Sequence, residues 1–371
     1  MSKNMKLVIT GGHHTSALPV MEEIQKLKPD CEFIWIGHKH SMARDNNPSA
    51  EFQDITALGI QFYDIGAQKF YRVYNPLKLM IILFGVVRAY KLLRKLRPDG
   101  VLSFGGYIAF PVVVAASALK IPSVTHEQIL VAGISNKAIS FFVKKIFVSH
   151  KETKKYYNRS KVIFTGLPLR KEIFSQTSNV FIFSNADPVL YVTGGKQGSH
   201  RINTALKGIL PELLEFCNVI HQCGSTTEFN DLKVFEDLKE NLPTEKKGKY
   251  YVAPYITKEY IGEVMAKADL VVSRSGAHTV FELVALAKRA ILIPITNVAR
   301  NEQIKNALLF SSTGLGKIIY EKDLTPNPLL SEIKYMLEHK SEFNPQGTGA
   351  FVINTDSAKT IAYETCQAIF E

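Results

Sequence analysis

A chain of 371 residues is too long for one ordinary hydrophobic core, so two domains are expected. Its 46% hydrophobic and 21% charged content excludes a disordered chain. Net charge is +11, from 45 basic and 34 acidic side chains. The four cysteines, Cys31, Cys217, Cys223 and Cys366, form no C-x-x-C pair, which speaks against a disulfide framework or zinc knuckle and for a reduced, cytosolic setting.

The polar start, Met1 to Lys6, runs straight into "KLVIT" (Lys6 to Thr10), so no signal peptide is expected. Further strand-like runs follow: "EFIWIG" (Glu32 to Gly37), "GVLSF" (Gly100 to Phe104), "PSVTH" (Pro122 to His126) and "KIFVS" (Lys145 to Ser149). A second series comprises "VLYVTGG" (Val189 to Gly195), "NVIHQCG" (Asn218 to Gly224), "KYYVAPY" (Lys249 to Tyr255), "ADLVVS" (Ala268 to Ser273) and "AILIPI" (Ala290 to Ile295). Helical patterns separate them. Continuous apolar strands between helices predict α/β domains, each with a parallel sheet covered on both faces. The segment Arg170 to Pro188, with its turn-forming "SQTSN" and "SNADP", is the expected linker.

No acidic residue lies between Asp64 and Asp99, while Lys69, Arg72, Lys78, Arg88, Lys91, Arg94, Lys95 and Arg97 do. Within that interval, "LMIILFGVV" (Leu79 to Val87) is too short to span a bilayer, which takes about 20 residues. A basic, apolar, helical segment suits an anionic membrane surface. It also suits a core helix with a solvated basic end. A nucleic-acid patch is a third reading, but no nucleic-acid motif accompanies the charge.

Each half opens with a strand ending in paired glycines, Gly11-Gly12 and Gly194-Gly195. Ligands of open α/β sheets bind at the carboxyl ends of strands, so one half can hold a donor and the other an acceptor. Neither G-x-x-x-x-G-K-[ST] nor G-x-G-x-x-G occurs. There is also no Asp-x-Asp to clamp a metal, so no metal site is expected. In "SRSGAHTVFELVALAKRAILIPI" (Ser273 to Ile295), Thr279 and Glu282 have the spacing of a capping box. A second reading of the same stretch, less common than a plain cap, is a nucleotide site. N–H groups at a helix start attract phosphate, and the carboxylate accepts ribose hydroxyls.

Eight stretches, in order, resemble the MurG family, peripheral membrane glycosyltransferases of peptidoglycan synthesis. They are "TGGHHTSAL" (Thr10 to Leu18), "FGGYIAFPV" (Phe104 to Val112), "IPSVTHEQILVAGISNK" (Ile121 to Lys137), "TGLPLR" (Thr165 to Arg170), "VTGGKQGSHRIN" (Val192 to Asn203), "VIHQCG" (Val219 to Gly224), "SRSGAHTVFEL" (Ser273 to Leu283) and "NEQIKNA" (Asn301 to Ala307). The resemblance implies a GT-B fold, two Rossmann-like domains facing across a cleft. It divides the chain into an acceptor and membrane domain over 1–168, a UDP-sugar domain over 169–349, and a C-terminal helix over 350–371 that returns to the first domain. It also implies inverting transfer of N-acetylglucosamine from UDP-GlcNAc to the 4-hydroxyl of the muramyl sugar on undecaprenyl pyrophosphate, lipid I. The protein would sit on the cytoplasmic face of the cell membrane and use no cofactor and no nucleic acid.

Site residues carry over from the family by position. His13 is the expected base, since imidazole titrates near working pH; the bland role at its position is a helix cap. Glu127 is the alternative base, or else it holds His126 or a helix start. Gly12, His14, Gly105, Gly106, Tyr107, His126 and Gln128 fall on the acceptor side. Arg170, Gly194, Gly195, Lys196, Gln197, Gly198, Ile256, Ala277, His278, Thr279, Glu282, Glu302 and Gln303 fall on the donor side, with Ile256 at the uracil and Glu282 at the ribose. This sequence departs from the family pattern at Val8, Ile9, Ile129, Lys196, His200 and Asn301-Glu302. Related readings are a GlcNAc transferase acting on another polyprenyl-linked sugar, a UDP-GlcNAc 2-epimerase, and a non-catalytic UDP-sugar-binding protein.

Overall fold

The computed structural model describes residues 5–40, 48–66, 76–296, 301–345 and 351–371, with the side chains of 50 and 76–81 outside the description. The chain divides into two compact units, Met1–Arg170 with Asn354–Glu371, and Lys171–Ile353.

The first unit holds seven parallel strands: β1 (Lys6–Thr10), β2 (Glu32–Gly37), β3 (Gln61–Asp64), β4 (Gly100–Ser103), β5 (Ser123–Glu127), β6 (Lys145–Val148) and β7 (Val162–Phe164). Their order is β3-β2-β1-β4-β5-β6-β7, so the topology reverses between β1 and β4. The connecting helices are α1 (His14–Leu27), α2 (Ala50–Ala57), α3 (Pro76–Leu96), α4 (Gly106–Ala118) and α5 (Ile134–Ile139). Strand side chains alternate between faces. Leu7, Ile9 and Trp35 enter one buried cluster with Val20 and Ile24 of α1. Val8, Ile34 and Ile36 enter the other, with Val112 and Val113 of α4.

The second unit repeats the plan with β8 (Val189–Thr193), β9 (Asn218–Gln222), β10 (Tyr250–Ala253), β11 (Leu270–Ser273), β12 (Ala290–Leu292) and β13 (Gly316–Ile318), in the order β10-β9-β8-β11-β12-β13. Its helices are α6 (His200–Lys207), α7 (Leu210–Phe216), α8 (Asp231–Glu240), α9 (Thr244–Lys247), α10 (Lys258–Lys267), α11 (Ala277–Ala285), α12 (Glu302–Ser311) and α13 (Pro326–Glu338). The last helix, α14 (Ser357–Phe370), belongs to the first unit, where Ile361, Ala362 and Cys366 pack in the cluster of Leu7 and Ile24.

Three differences from the sequence reading stand out. Strands β3, β7 and β13 were not expected; each is only three or four residues long and none is fully buried, so none shows a continuous apolar run. Residues 178–181 are strapped to the second unit rather than forming a free linker. The fully buried Glu263 carboxylate accepts from the Ser178 hydroxyl and from the N–H groups of Val180 and Phe181. Arg170 closes the first unit instead of opening the second.

Candidate active site

At the reversal between β1 and β4, two glycine turns touch. The Gly12 N–H donates to the Gly105 carbonyl at 3.3 Å. Gly11, at φ +130°, lies so close to Phe104 that an added Cβ would stand 2.7 Å from its carbonyl carbon. Gly105 and Gly106 also have positive φ, and the Gly106 N–H donates to Asn136 Oδ1 at 3.1 Å. Only glycine fits such a crossing without strain.

His13 occupies the N-cap position of α1, but its side chain makes no capping bond. Instead its Nδ1 lies 2.9 Å from Gln128 Nε2 at the end of β5. Burial, reinforced by His14, lowers its pKa to about 4, so the imidazole is neutral at physiological pH. His14 turns to α2, with Nε2 3.1 Å from Asp54 Oδ2. The Tyr107 ring lies 5.3 Å from the His38 ring at a tilt of 35°, and burial, together with Glu51 and Asp64, pushes its phenol up to about 12.

His126 is 1% exposed and hydrogen-bonds Ser149 at 3.0 Å, so it supports the site from behind rather than lining it. Glu127 is also buried. Its carboxylate accepts from the N–H groups of Ile129 (3.3 Å) and Gly133 (3.0 Å) and the hydroxyl of Tyr157 (2.9 Å). Burial raises its pKa against those bonds and that of Asn136. This carboxylate holds the loop between β5 and α5.

In the second unit the turn after β8 packs against the turn after β9, while the strand order reverses between β8 and β11. Gly195 and Gly198 have φ of +86° and +87°, and a Cβ on Gly198 would collide with the Cys223 carbonyl. Gly194 would likewise press on the Ser199 N–H. The Lys196 ammonium sits 5.1 Å over the Tyr255 ring beside this turn, and Gln197 is exposed. Across the reversal, α11 begins at Ala277 with Gly276 as its N-cap. The capping box is therefore not formed. Thr279 is the third helical residue and Glu282 the sixth, 4% exposed. His278 and Thr279 are half-buried at the helix start. Ile256 is buried, and its N–H donates to Gln222 Oε1 at 2.8 Å. Gln303 accepts from the Ile295 N–H through its side chain and from Ser275 through its carbonyl. Glu302 opens α12 next to it. Arg170, half-buried, lies at the end of the first unit.

Several supporting residues had no sequence signal. Arg274 binds Ser199 Oγ at 2.7 Å, Glu321 Oε1 at 2.5 Å and the Ile293 carbonyl at 3.1 Å, tying the starts of α6 and α11 together. Gln222 donates to Thr193 Oγ1 and the Gly195 carbonyl. Asn136 and Ser16 do similar work in the first unit. Lone polar residues with partners far along the chain leave no local pattern.

The basic segment forms α3. It buries Gly85, Ala89 and Leu93, four residues apart on one face, and exposes Leu83, Phe84 (60%) and Val87 with Arg88, Lys91, Arg94 and Lys95. Beside α5, Ile134, Phe141 (80%) and Phe142 are exposed too. Both α3 and α5 pack on α4. Lys69 and Arg72 lie outside the described residues, as do the side chains of Lys78 and Leu79 to Ile81. Among the described residues, no helix is long and apolar enough to cross a membrane.

Two Rossmann-like units, each with a glycine turn after the strand at which its sheet order reverses, define the GT-B class of glycosyltransferases. The family model "Glycosyltransferase family 28 N-terminal domain" matches residues 9–148, and "Glycosyltransferase family 28 C-terminal domain" matches 189–362. The chain belongs to glycosyltransferase family 28 and, within it, to the MurG family. It is 34% identical over 356 residues to a UDP-N-acetylglucosamine--N-acetylmuramyl-(pentapeptide) pyrophosphoryl-undecaprenol N-acetylglucosamine transferase of Clostridium perfringens, covering 92% of each chain. It is 31% identical over 349 residues to a protein of that name, numbered 2, from Bacillus anthracis, covering 91% of this chain and 92% of the other. In fold it is similar to MurG of Acinetobacter baumannii, with TM-score 0.62, 23% identity, and coverage of 98% and 95% of the two chains. It is also similar to the UDP-GlcNAc 2-epimerase of Neisseria meningitidis bound to UDP-GlcNAc, with TM-score 0.60, 16% identity, and coverage of 98% and 100%.

Proposed function

We propose that this enzyme moves N-acetylglucosamine from UDP-GlcNAc to the 4-hydroxyl of the muramyl sugar on an undecaprenyl-pyrophosphate-linked acceptor, with inversion. The observation that carries the donor half is the pairing, across one strand reversal, of a glycine turn (Gly194 to Gly198) with the start of α11 and the buried Glu282. N–H groups at Ala277, His278 and Thr279 meet the diphosphate, with Lys196 and Arg170 adding charge. Glu282 accepts the ribose hydroxyls, Ile256 meets the uracil, and Glu302 and Gln303 meet the sugar. The names of relatives at 34% identity over 92% of the chain support this donor and a lipid-linked acceptor.

The acceptor binds at the Gly11-Gly12 and Gly105-Gly106 turns, with Tyr107. His13 takes the proton of the attacking hydroxyl. Its neutral state at physiological pH supports this role, whereas the Glu127 carboxylate is committed to the loop after β5. The hydroxyl oxygen forms its bond to the anomeric carbon from the face opposite UDP. The bond to UDP breaks, and its electron pair goes to a diphosphate already held by N–H groups and cations. The first unit is thus the acceptor and membrane part, and the second the donor part. Docking through the exposed apolar and basic side chains of α3 and the exposed phenylalanines after α5 keeps the enzyme peripheral, on the cytoplasmic face.

The test is incubation of the full chain with labelled UDP-GlcNAc and a panel of polyprenyl-linked acceptors, followed by product mass and anomeric configuration. A β-linked disaccharide on the muramyl lipid is expected. His13→Ala should lower turnover by about 10²–10⁴-fold with UDP affinity nearly unchanged. Transfer to a different polyprenyl-linked sugar only, or epimerised UDP-sugar without transfer, would overturn the reading. An α-linked product would exclude single displacement.

A further inference from the structure

Behind His13 lies a buried hydrogen-bond chain that the reaction itself does not explain. The fully buried Ser16 hydroxyl is 3.0 Å from Gln128 Oε1, and Gln128 Nε2 is 2.9 Å from His13 Nδ1. Gln128 is 4% exposed, so its amide has little choice of other partners. A primary amide has one accepting end and one donating end. With the serine hydroxyl donating to Oε1, the amide N–H faces Nδ1. A ring nitrogen that faces a donor must offer its lone pair, and the proton of the neutral ring then sits on Nε2.

That arrangement leaves Nε2, the nitrogen turned away from Gln128, as a donor and not a base. Turning the amide by 180° reverses both bonds. Nε2 of Gln128 then donates to the serine oxygen, and Oε1 accepts from His13 Nδ1–H. In this second arrangement the imidazole Nε2 carries a lone pair. His13 is partly exposed, so solvent can carry the proton from one ring nitrogen to the other.

We propose that Gln128, latched by Ser16, is a positioning residue that assigns the proton of His13, holding the Nε2–H tautomer at rest and arming the base when its amide turns over. The inference rests on the reading of His13 as the base. In the armed state the acceptor O–H bond breaks, its proton moves to Nε2, and the oxygen keeps the electron pair that forms the new glycosidic bond. The imidazolium so formed donates through Nδ1–H to Oε1 of Gln128, which stabilises it.

The experiment is ¹⁵N-histidine NMR on the full-length wild type, Gln128→Glu and Gln128→Met, with His13→Gln to assign the resonances. A carboxylate has no donor, so Gln128→Glu should convert His13 from the Nε2–H to the Nδ1–H tautomer. Gln128→Met should leave a mixture and lower kcat by about 10- to 100-fold with UDP affinity unchanged. The titratable groups already facing His13 are His14 at its own helix start and His126 on β5, both present in every variant. The new carboxylate favours imidazolium, so in Gln128→Glu the acid limb of kcat/KM should move up from near pH 4 by about a unit or more. An identical His13 tautomer in wild type and both variants would overturn the proposal. The tautomer is read without turnover, so a switching tautomer in an enzyme whose His13→Ala variant stays active would remove His13 as base and leave the positioning intact.

Discussion

Changing Glu282 to glutamine separates a donor-binding carboxylate from a structural one. The substitution keeps side-chain volume and one carbonyl oxygen. A capping box at this position would contribute about 1 kcal/mol to the helix, but α11 starts at Ala277 with Gly276 as N-cap, so Glu282 is a full turn past the place where it could cap. The change in unfolding free energy should therefore stay below about 1.5 kcal/mol, the net worth of one ordinary hydrogen bond. Binding is a different matter. A ribose hydroxyl donating to a carboxylate is a charge-assisted bond worth about 1.5–3 kcal/mol. Losing one weakens UDP by about 10- to 150-fold, since 1.4 kcal/mol is a decade. Calorimetric titration with UDP beside a thermal melt of the same protein reads both quantities. UDP affinity within about twofold of wild type would refute the ribose assignment. Affinity and melting temperature falling together would make Glu282 structural.

Two further expectations follow from the first unit's surface and from the strap of the second. Replacing Leu83, Phe84 and Phe141 by serine, or Lys91, Arg94, Lys95 and Arg97 by glutamine, should release the protein from anionic vesicles, because each basic side chain near such a surface contributes about 1 kcal/mol and salt screens it. Co-sedimentation equal to wild type across salt concentrations would show these side chains take no part in docking. Burial alone would raise the Glu263 carboxyl, but Lys267, Val180, Ser178 and Phe181 outweigh it and lower its pKa from 4.5 to about 2. A carboxyl lowered by folding stabilises fully above its unfolded pKa and loses that contribution as pH falls through the folded one. Glu263→Gln should thus cost about 3 kcal/mol at neutral pH, with the difference from wild type vanishing between pH 4.5 and about 2. Denaturant titrations at several pH values measure this, and a pH-independent difference would contradict it.

Local chemistry was enough to read the repeating α/β plan. Runs such as "KLVIT" and "VLYVT" carry consecutive apolar residues, Leu7 to Ile9 and Val189 to Val192, because parallel strands are covered on both faces, and they stand out against helical periodicity. The paired glycines could be read for a similar reason, since a turn that brings backbone within a few ångströms of another turn tolerates no side chain. The short strands β3, β7 and β13 could not, because three or four partly exposed residues carry no periodic contrast.

Residue roles divided along the same line. The sequence by itself determined which residue types stand at or just beyond the strand ends: histidine after Gly11-Gly12, an acid six residues after Gly276, and a Glu-Gln pair closing β5. Whether each capped a helix or faced a site was decided only in three dimensions. His13 became a partner of Gln128, 115 positions away, instead of a cap. Glu282 lost its capping role because α11 begins at Ala277, before Thr279. Glu127 was drawn into the loop by Gly133 and Tyr157, and Arg274 found Ser199 and Glu321 at separations of 75 and 47 residues. Hydrogen-bond partners so far apart in the chain are chosen by sheet order and crossover path, and no local pattern of side chains records that choice.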